Sequence, residues 1–135
     1  MIFNWKIREK SAAACSTTRE KGAAAEDAAL KYLQQRGLVL LERNYKTPGR
    51  GGGEIDLIMR DGSGTLVFVE VRARRTAAAG GAAASVTATK QRRIIFAAQR
   101  YLQRWRTLPP CRFDVVAIEG GQVEWLKGAF AAEGA

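Results

Sequence analysis

The 135 residues, 47% hydrophobic and 26% charged, have the length and composition of a single globular domain, outside the disordered class, and no second domain is expected in them. There is no histidine, which removes histidine-dependent triads, histidine general bases and the usual zinc sites, so any metal must be bound by oxygen. Twenty-two Lys and Arg against thirteen Asp and Glu leave a net charge of +9, which favours a polyanionic partner.

The domain is expected over residues 19–131, with a flexible tail at 1–18 and a short stub at 132–135. No apolar run reaches the roughly 18 to 20 residues that span a bilayer. The apolar start Met1-Ile2-Phe3 is broken by Asn4 and Lys6 before a signal-peptide core can form, so no membrane association is expected. Cys15 and Cys111 are far apart and imply neither a disulfide framework nor a metal knuckle; a reducing cytoplasm fits them best.

Residues 19–36 read as a helix stopped by Gly37. Gly22, Ala25, Ala29, Tyr32 and Leu33 form its buried stripe, Glu26 borders that stripe, and Asp27 lies outside it, where it can pair with Lys31. A first strand at 38–45 leads into a glycine-rich turn at 46–53. A second strand, 54–59, ends in the hairpin signal Asp61-Gly62-Ser63-Gly64. The third, 65–74, is apolar on both faces at its start, which places it in the middle of a sheet. An Ala- and Gly-rich stretch, 76–84, is expected to be a flexible loop. A second helix, 87–105, buries Ile94, Ala97, Ala98, Tyr101, Leu102 and Trp105, with Phe96 left on its polar side. Two strands follow, 112–118 and 122–126, and the Ala-rich C-terminal end is read as a frayed helix. The order α-β-β-β-α-β-β implies a mixed sheet with the third and fourth strands parallel and a helix on each face.

The informative feature is charge where packing prefers none. Asp56 interrupts an apolar strand, and Glu70 is the only polar side chain between Leu66 and Val71. A buried carboxylate costs several kcal/mol unless it is paired or binds a cation. Two on adjacent strands repel, and an Mg²⁺-like ion resolves the conflict. Period-two alternation puts Glu70, Arg72 and Arg74 on one face and Glu54, Asp56 and Ile58 on one face of the neighbouring strand. A purely structural salt bridge to Arg72 is the alternative.

Gly53-Glu54-Ile55-Asp56-Leu57-Ile58, Val67-Phe68-Val69-Glu70-Val71-Arg72-Ala73-Arg74, Ser85-Val86-Thr87 with Lys90-Gln91, and Arg112-Phe113-Asp114-Val115-Val116 together resemble the bacterial YraN family. That family in turn resembles the PD-(D/E)XK nucleases, archaeal Holliday junction resolvases above all. The resemblance covers roughly residues 22–130. It implies a restriction-endonuclease-like α/β fold, a central mixed sheet flanked by helices, with Glu26, Asp56 and Glu70 as metal-binding acids. Mg²⁺ or Mn²⁺ is the expected ion, and a metal-assisted hydrolysis of DNA phosphodiester bonds, branched DNA included, the expected activity. Arg72 stands where the superfamily has its lysine. Arginine stays protonated and cannot act as a base, so Arg72 or Lys90 is expected to stabilise charge, and a non-catalytic binding module is the alternative. Glu26 and Lys90 both border buried stripes and can point toward the sheet; each can also be an ordinary solvated residue.

Arg72, Arg74, Arg75, Lys90, Arg93, Arg100 and Arg104 are the candidate nucleic-acid contacts, with Arg93, Arg100 and Arg104 on one helical side, unless that side is only solvated. Few aromatics are present, so recognition of duplex or branched backbone is expected over stacking on single strands, and DNA over RNA. A homodimer is compatible with the resemblance, Phe96 being the only surface that suggests one. A protein that docks an acidic protein partner through its basic face is a third reading.

Overall fold

A computed structural model describes residues 18–49, 52–74 and 86–132. In chain order the elements are helix α1 Thr18–Gln35, strands β1 Val39–Lys46, β2 Glu54–Arg60 and β3 Leu66–Arg74, helix α2 Ala88–Leu102, and strands β4 Cys111–Glu119 and β5 Gln122–Phe130. The five strands form one sheet in the order β1-β2-β3-β4-β5. All neighbours are antiparallel except β3 and β4, which are parallel with α2 as their crossover. The expected tail at 1–18, beyond Thr18 itself, the loop at 76–84, Arg75, Ser85 and residues 133–135 lie outside the described residues.

The central position of β3 follows from its sequence. Leu66 and Phe68 pack with Ile94, Ala97, Ala98 and Tyr101 of α2 on one side of the sheet. Val67 and Val69 pack with Ala29 and Leu33 of α1 on the other. Alternation on a strand covered on both faces leaves no polar positions, which is why the run is continuously apolar until Glu70. Ile95 adds to the buried stripe of α2, and Phe96 is 39% exposed. No helix among the described residues is long and apolar enough to cross a membrane.

Two boundaries and one ion pair differ from those expected. The second helix stops at Leu102, because Gln103 and Trp105 turn their N–H groups back onto Arg100 and Leu102 in tighter three-residue turns. Arg104 therefore lies past the helix end, stacked over the Tyr101 ring and paired with Glu42 at 3.7 Å. It does not continue a helical stripe with Arg93 and Arg100. Asp27 pairs with Arg43 of β1 at 2.7 Å instead of with Lys31. The last strand runs on to Phe130, four residues beyond Leu126, and the frayed helix expected of the C-terminal stub lies, past Ala132, outside the described residues.

Asp114 explains that extension. Its carboxylate is completely buried and accepts from Arg112 Nε (3.1 Å), Trp125 Nε1 (2.9 Å) and the Gly128 N–H (2.9 Å). The β4–β5 register shifts between Phe113 and Val115, and Gly128 adopts φ 60°, a left-handed conformation glycine takes without strain. Phe130 then stacks on Phe113 with ring centroids 5.1 Å apart. Arg112 also reaches Asp61 at 3.2 Å, tying β4 to the β2–β3 hairpin. Removing the acceptor breaks a buried ion pair and the two hydrogen bonds that tie β5 to β4, so Asp114→Ala is expected to destabilise the fold by about 3 kcal/mol. Urea denaturation measures it, and a loss within error of zero contradicts the anchoring role.

Candidate functional site

The β2–β3 ladder ends at the Leu57–Val69 pair, although both strands run on. Beyond it β2 stays paired to β1 as far as Glu54, and β3 stays paired to β4 as far as Arg74. The sheet thus forks. Asp56 and Glu70, the next residues on each side, stand at the opening.

Alternation in β2 breaks at this point. Ile55 and Ile58 both pack on the α2 side, and Leu57 and Met59 on the α1 side. Asp56 therefore does not share a simple face with Glu54 and Ile58, as period two predicts. Its Oδ2 accepts the Val71 N–H at 2.8 Å, bridging the gap where the backbone ladder has ended. The distortion extends to β1. Asn44 falls between the Arg43–Leu57 and Tyr45–Ile55 pairs, opposite Asp56, with φ 56°, a left-handed conformation that asparagine tolerates better than most residues.

Glu70 is 4% exposed. Its Oε2 receives Arg72 Nη1 at 3.3 Å and Lys90 Nζ, from α2, at 3.7 Å. Its Oε1 is buried without a hydrogen-bond partner. Burial first, and then the Glu70 carboxylate beside it, push the Asp56 carboxyl up to about 7, with Glu54 adding to the rise and the Val71 N–H opposing it. The two carboxyls stand side by side at the fork, close enough for each to feel the other's charge. An orphaned buried oxygen beside an acid that repulsion keeps protonated is a fit for a hard cation with oxygen ligands.

Glu26 approaches from α1, on the opposite face. Arg43 Nε reaches its Oε1 at 3.4 Å. Burial, then Asp56, raise its carboxyl above the ordinary range, while Arg43 and Asn44 pull it back. The structure thus brings Asp56 and Glu70 together and sets Glu26 within electrostatic range of Asp56. Among the described residues no three His, Cys, Asp or Glu side chains are gathered closely enough to hold a metal ion.

Two cavities open beside the fork. One of about 340 Å³ is lined by Gly22, Ala23, Glu26, Asn44, Lys46 and Glu54. The other, of about 350 Å³, lies between the β1–β2 loop and α2 and includes Lys46, Glu54, Lys90 and Arg93. Lys46 and Glu54, partners across β1 and β2, separate the two. Neither was a predicted site residue, although Glu54 directly precedes the Ile55-Asp56 pair and could have been suspected. Arg43 carried no signal, since its role depends on where α1 lands. Arg93 and Arg100 are exposed on α2, Arg74 ends β3, and Gln91 spends its amide on the Val86 carbonyl at the start of α2.

A family model described as "Uncharacterised protein family UPF0102" matches residues 25–118. The chain is similar to a "UPF0102 protein" of Albidiferax ferrireducens, 66% identical over 116 residues that make up 86% of this chain and 91% of that one. One from Paracidovorax citrulli is 64% identical over 121 residues, 90% of each chain. One from Acidovorax sp. strain JS42 is 62% identical over 116 residues, 86% of this chain and 88% of its own.

The raised Asp56 acid has a consequence for stability. The folded protein holds the proton from the unfolded-state value near 3.8 up to about 7, where the unfolded chain has released it. Stability from this group is therefore full below the lower value, falls as pH rises between the two, and is flat above. In chelator, Asp56→Asn is expected to flatten that fall and to exceed the native chain at pH 8 by on the order of 1–3 kcal/mol. Denaturation at pH 5 and pH 8 measures it; an equal or steeper fall in the variant contradicts the assignment.

Proposed function

We propose that this chain, which belongs to the UPF0102 family, is a nucleic-acid-binding protein of restriction-endonuclease-like fold that hydrolyses DNA phosphodiester bonds with Mg²⁺ or Mn²⁺ in the cytoplasm. The observation that carries the proposal is the Asp56–Glu70 pair in the sheet fork, with one Glu70 oxygen buried and unpartnered.

Asp56 and Glu70 would hold the ion, with Glu26 completing the acidic environment from the α1 side. When bound, the ion supplies an activated water and neutralises charge on the phosphate. The remaining chemistry belongs to side chains. Arg72 stays protonated at any working pH, so beside Glu70 it orients the carboxylate and stabilises negative charge without accepting a proton. Lys90 reaches the same Glu70 oxygen from α2. It is thus the lysine available to this site, supplied by a helix where the superfamily supplies it from the strand.

One observation favours the second reading, a binding module without hydrolysis. Two cations already contact Glu70 Oε2 and compete with an ion for it. Purified protein incubated with branched, duplex and single-stranded DNA, and with RNA, in Mg²⁺, Mn²⁺ or chelator separates the readings. The nuclease reading expects metal-dependent cleavage of DNA, branched substrates first, abolished by Asp56→Asn and Glu70→Gln with binding kept. Lys90→Ala is expected to slow it by about 10²-fold or more. Salt-sensitive binding without cleavage establishes the module instead, and cleavage indifferent to Asp56 and Glu70 overturns the site.

A further inference from the structure

We infer that the cavity between the β1–β2 loop and α2 is a seat for a nucleic-acid backbone phosphate flanking the one at the acidic fork, held by Lys46, Lys90 and Arg93. The inference rests on the nucleic-acid reading above and adds the element that grips the strand beside the reacting position.

The lining carries three cations, Lys46, Lys90 and Arg93, against one carboxylate, Glu54. Two of the three, Lys46 and Arg93, carry charge that no described carboxylate has taken up. Arg43, Arg72, Arg104 and Arg112 each pair with carboxylates, whereas neither Lys46 nor Arg93 forms an ion pair with another described residue. Both are exposed, so a phosphate can reach them without displacing a partner. Lys90 links the two places, lining the cavity while its ammonium stands 3.7 Å from Glu70.

The seat is also preformed. Thr47 closes the loop on Gly53, accepting the Gly53 N–H at 2.8 Å through its hydroxyl and donating its own N–H to the Gly53 carbonyl at 3.1 Å. Gly53 in turn lies so close to α2 that a Cβ there would overlap the Arg93 carbonyl. Glycine is therefore required where loop and helix meet, and the contact holds the end of the loop against the backbone of α2 at Arg93. Cations held on a rigid frame lose less freedom on binding than those on a mobile loop.

Binding of a short fluorescent DNA duplex, followed by anisotropy in chelator across a salt series, tests the seat without any cleavage. Each phosphate contact contributes about 0.9 to the slope of log K against log salt. Lys46→Ala and Arg93→Ala are each expected to lower the slope by about that much. Lys46→Arg should keep it. Arg60→Ala removes the same charge at the opposite end of β2 and should leave the slope unchanged. Slopes unaltered in Lys46→Ala and Arg93→Ala overturn the seat, as does an equal drop in Arg60→Ala, while the metal-dependent cleavage reading survives either result. Slopes that shift as expected in a protein that never cleaves uphold the seat and refute only hydrolysis. No duplex binding at low salt overturns both.

Discussion

Two carboxylates pressed together at the end of a strand ladder are the constraint around which this molecule is arranged. Asp56 and Glu70 are set side by side where β2 and β3 separate after Leu57 and Val69. Repulsion and burial then act on the same few atoms. The protein offsets part of the cost with the Val71 N–H on Asp56 and with Arg72 and Lys90 on one oxygen of Glu70. The other Glu70 oxygen is left with nothing, and an unpartnered buried acceptor is a penalty of about 1–3 kcal/mol that folding alone does not explain.

Asp114 supplies the internal contrast. It is more deeply buried than Glu70, yet both its oxygens accept from side-chain and backbone donors, and its work is to fasten β5 to β4. A carboxylate whose donors are all supplied by the fold is structural. One set beside another acid with only a partial set of donors has the character of a functional site. The same division applies to the cations, since Arg43 and Arg112 are consumed in ion pairs, whereas Lys46 and Arg93 face a cavity.

Much of this was legible in the sequence because it depends on local pattern. Glu70 was conspicuous as the only polar residue in a run buried on both faces, and the central place of β3 followed from that run. The break at Asp56 was not legible, since period two assumes an unbroken strand, and the fork that rotates Asp56 out of step arises from pairing among four strands. Arg43 was invisible for a related reason: its partners, Glu26 and Asp27, lie on a helix whose docking the sequence does not encode locally. The continuation of β5 was hidden by small residues of weak strand preference, and the anchor that extends it, Asp114, sits in a different strand. Gly53 read only as a turn residue, while its requirement comes from the approach of α2.

The central claim is that the Asp56–Glu70 pair binds a divalent cation. Calorimetric titration of the metal-free protein with Mn²⁺ at pH 7 tests it most directly, repeated in buffers of different ionisation enthalpy. The account predicts one saturable site that releases a proton from Asp56 as the ion binds, with both the heat and the release absent in Asp56→Asn and Glu70→Gln. Saturable binding that persists in both variants, or no binding by the native chain, would contradict it.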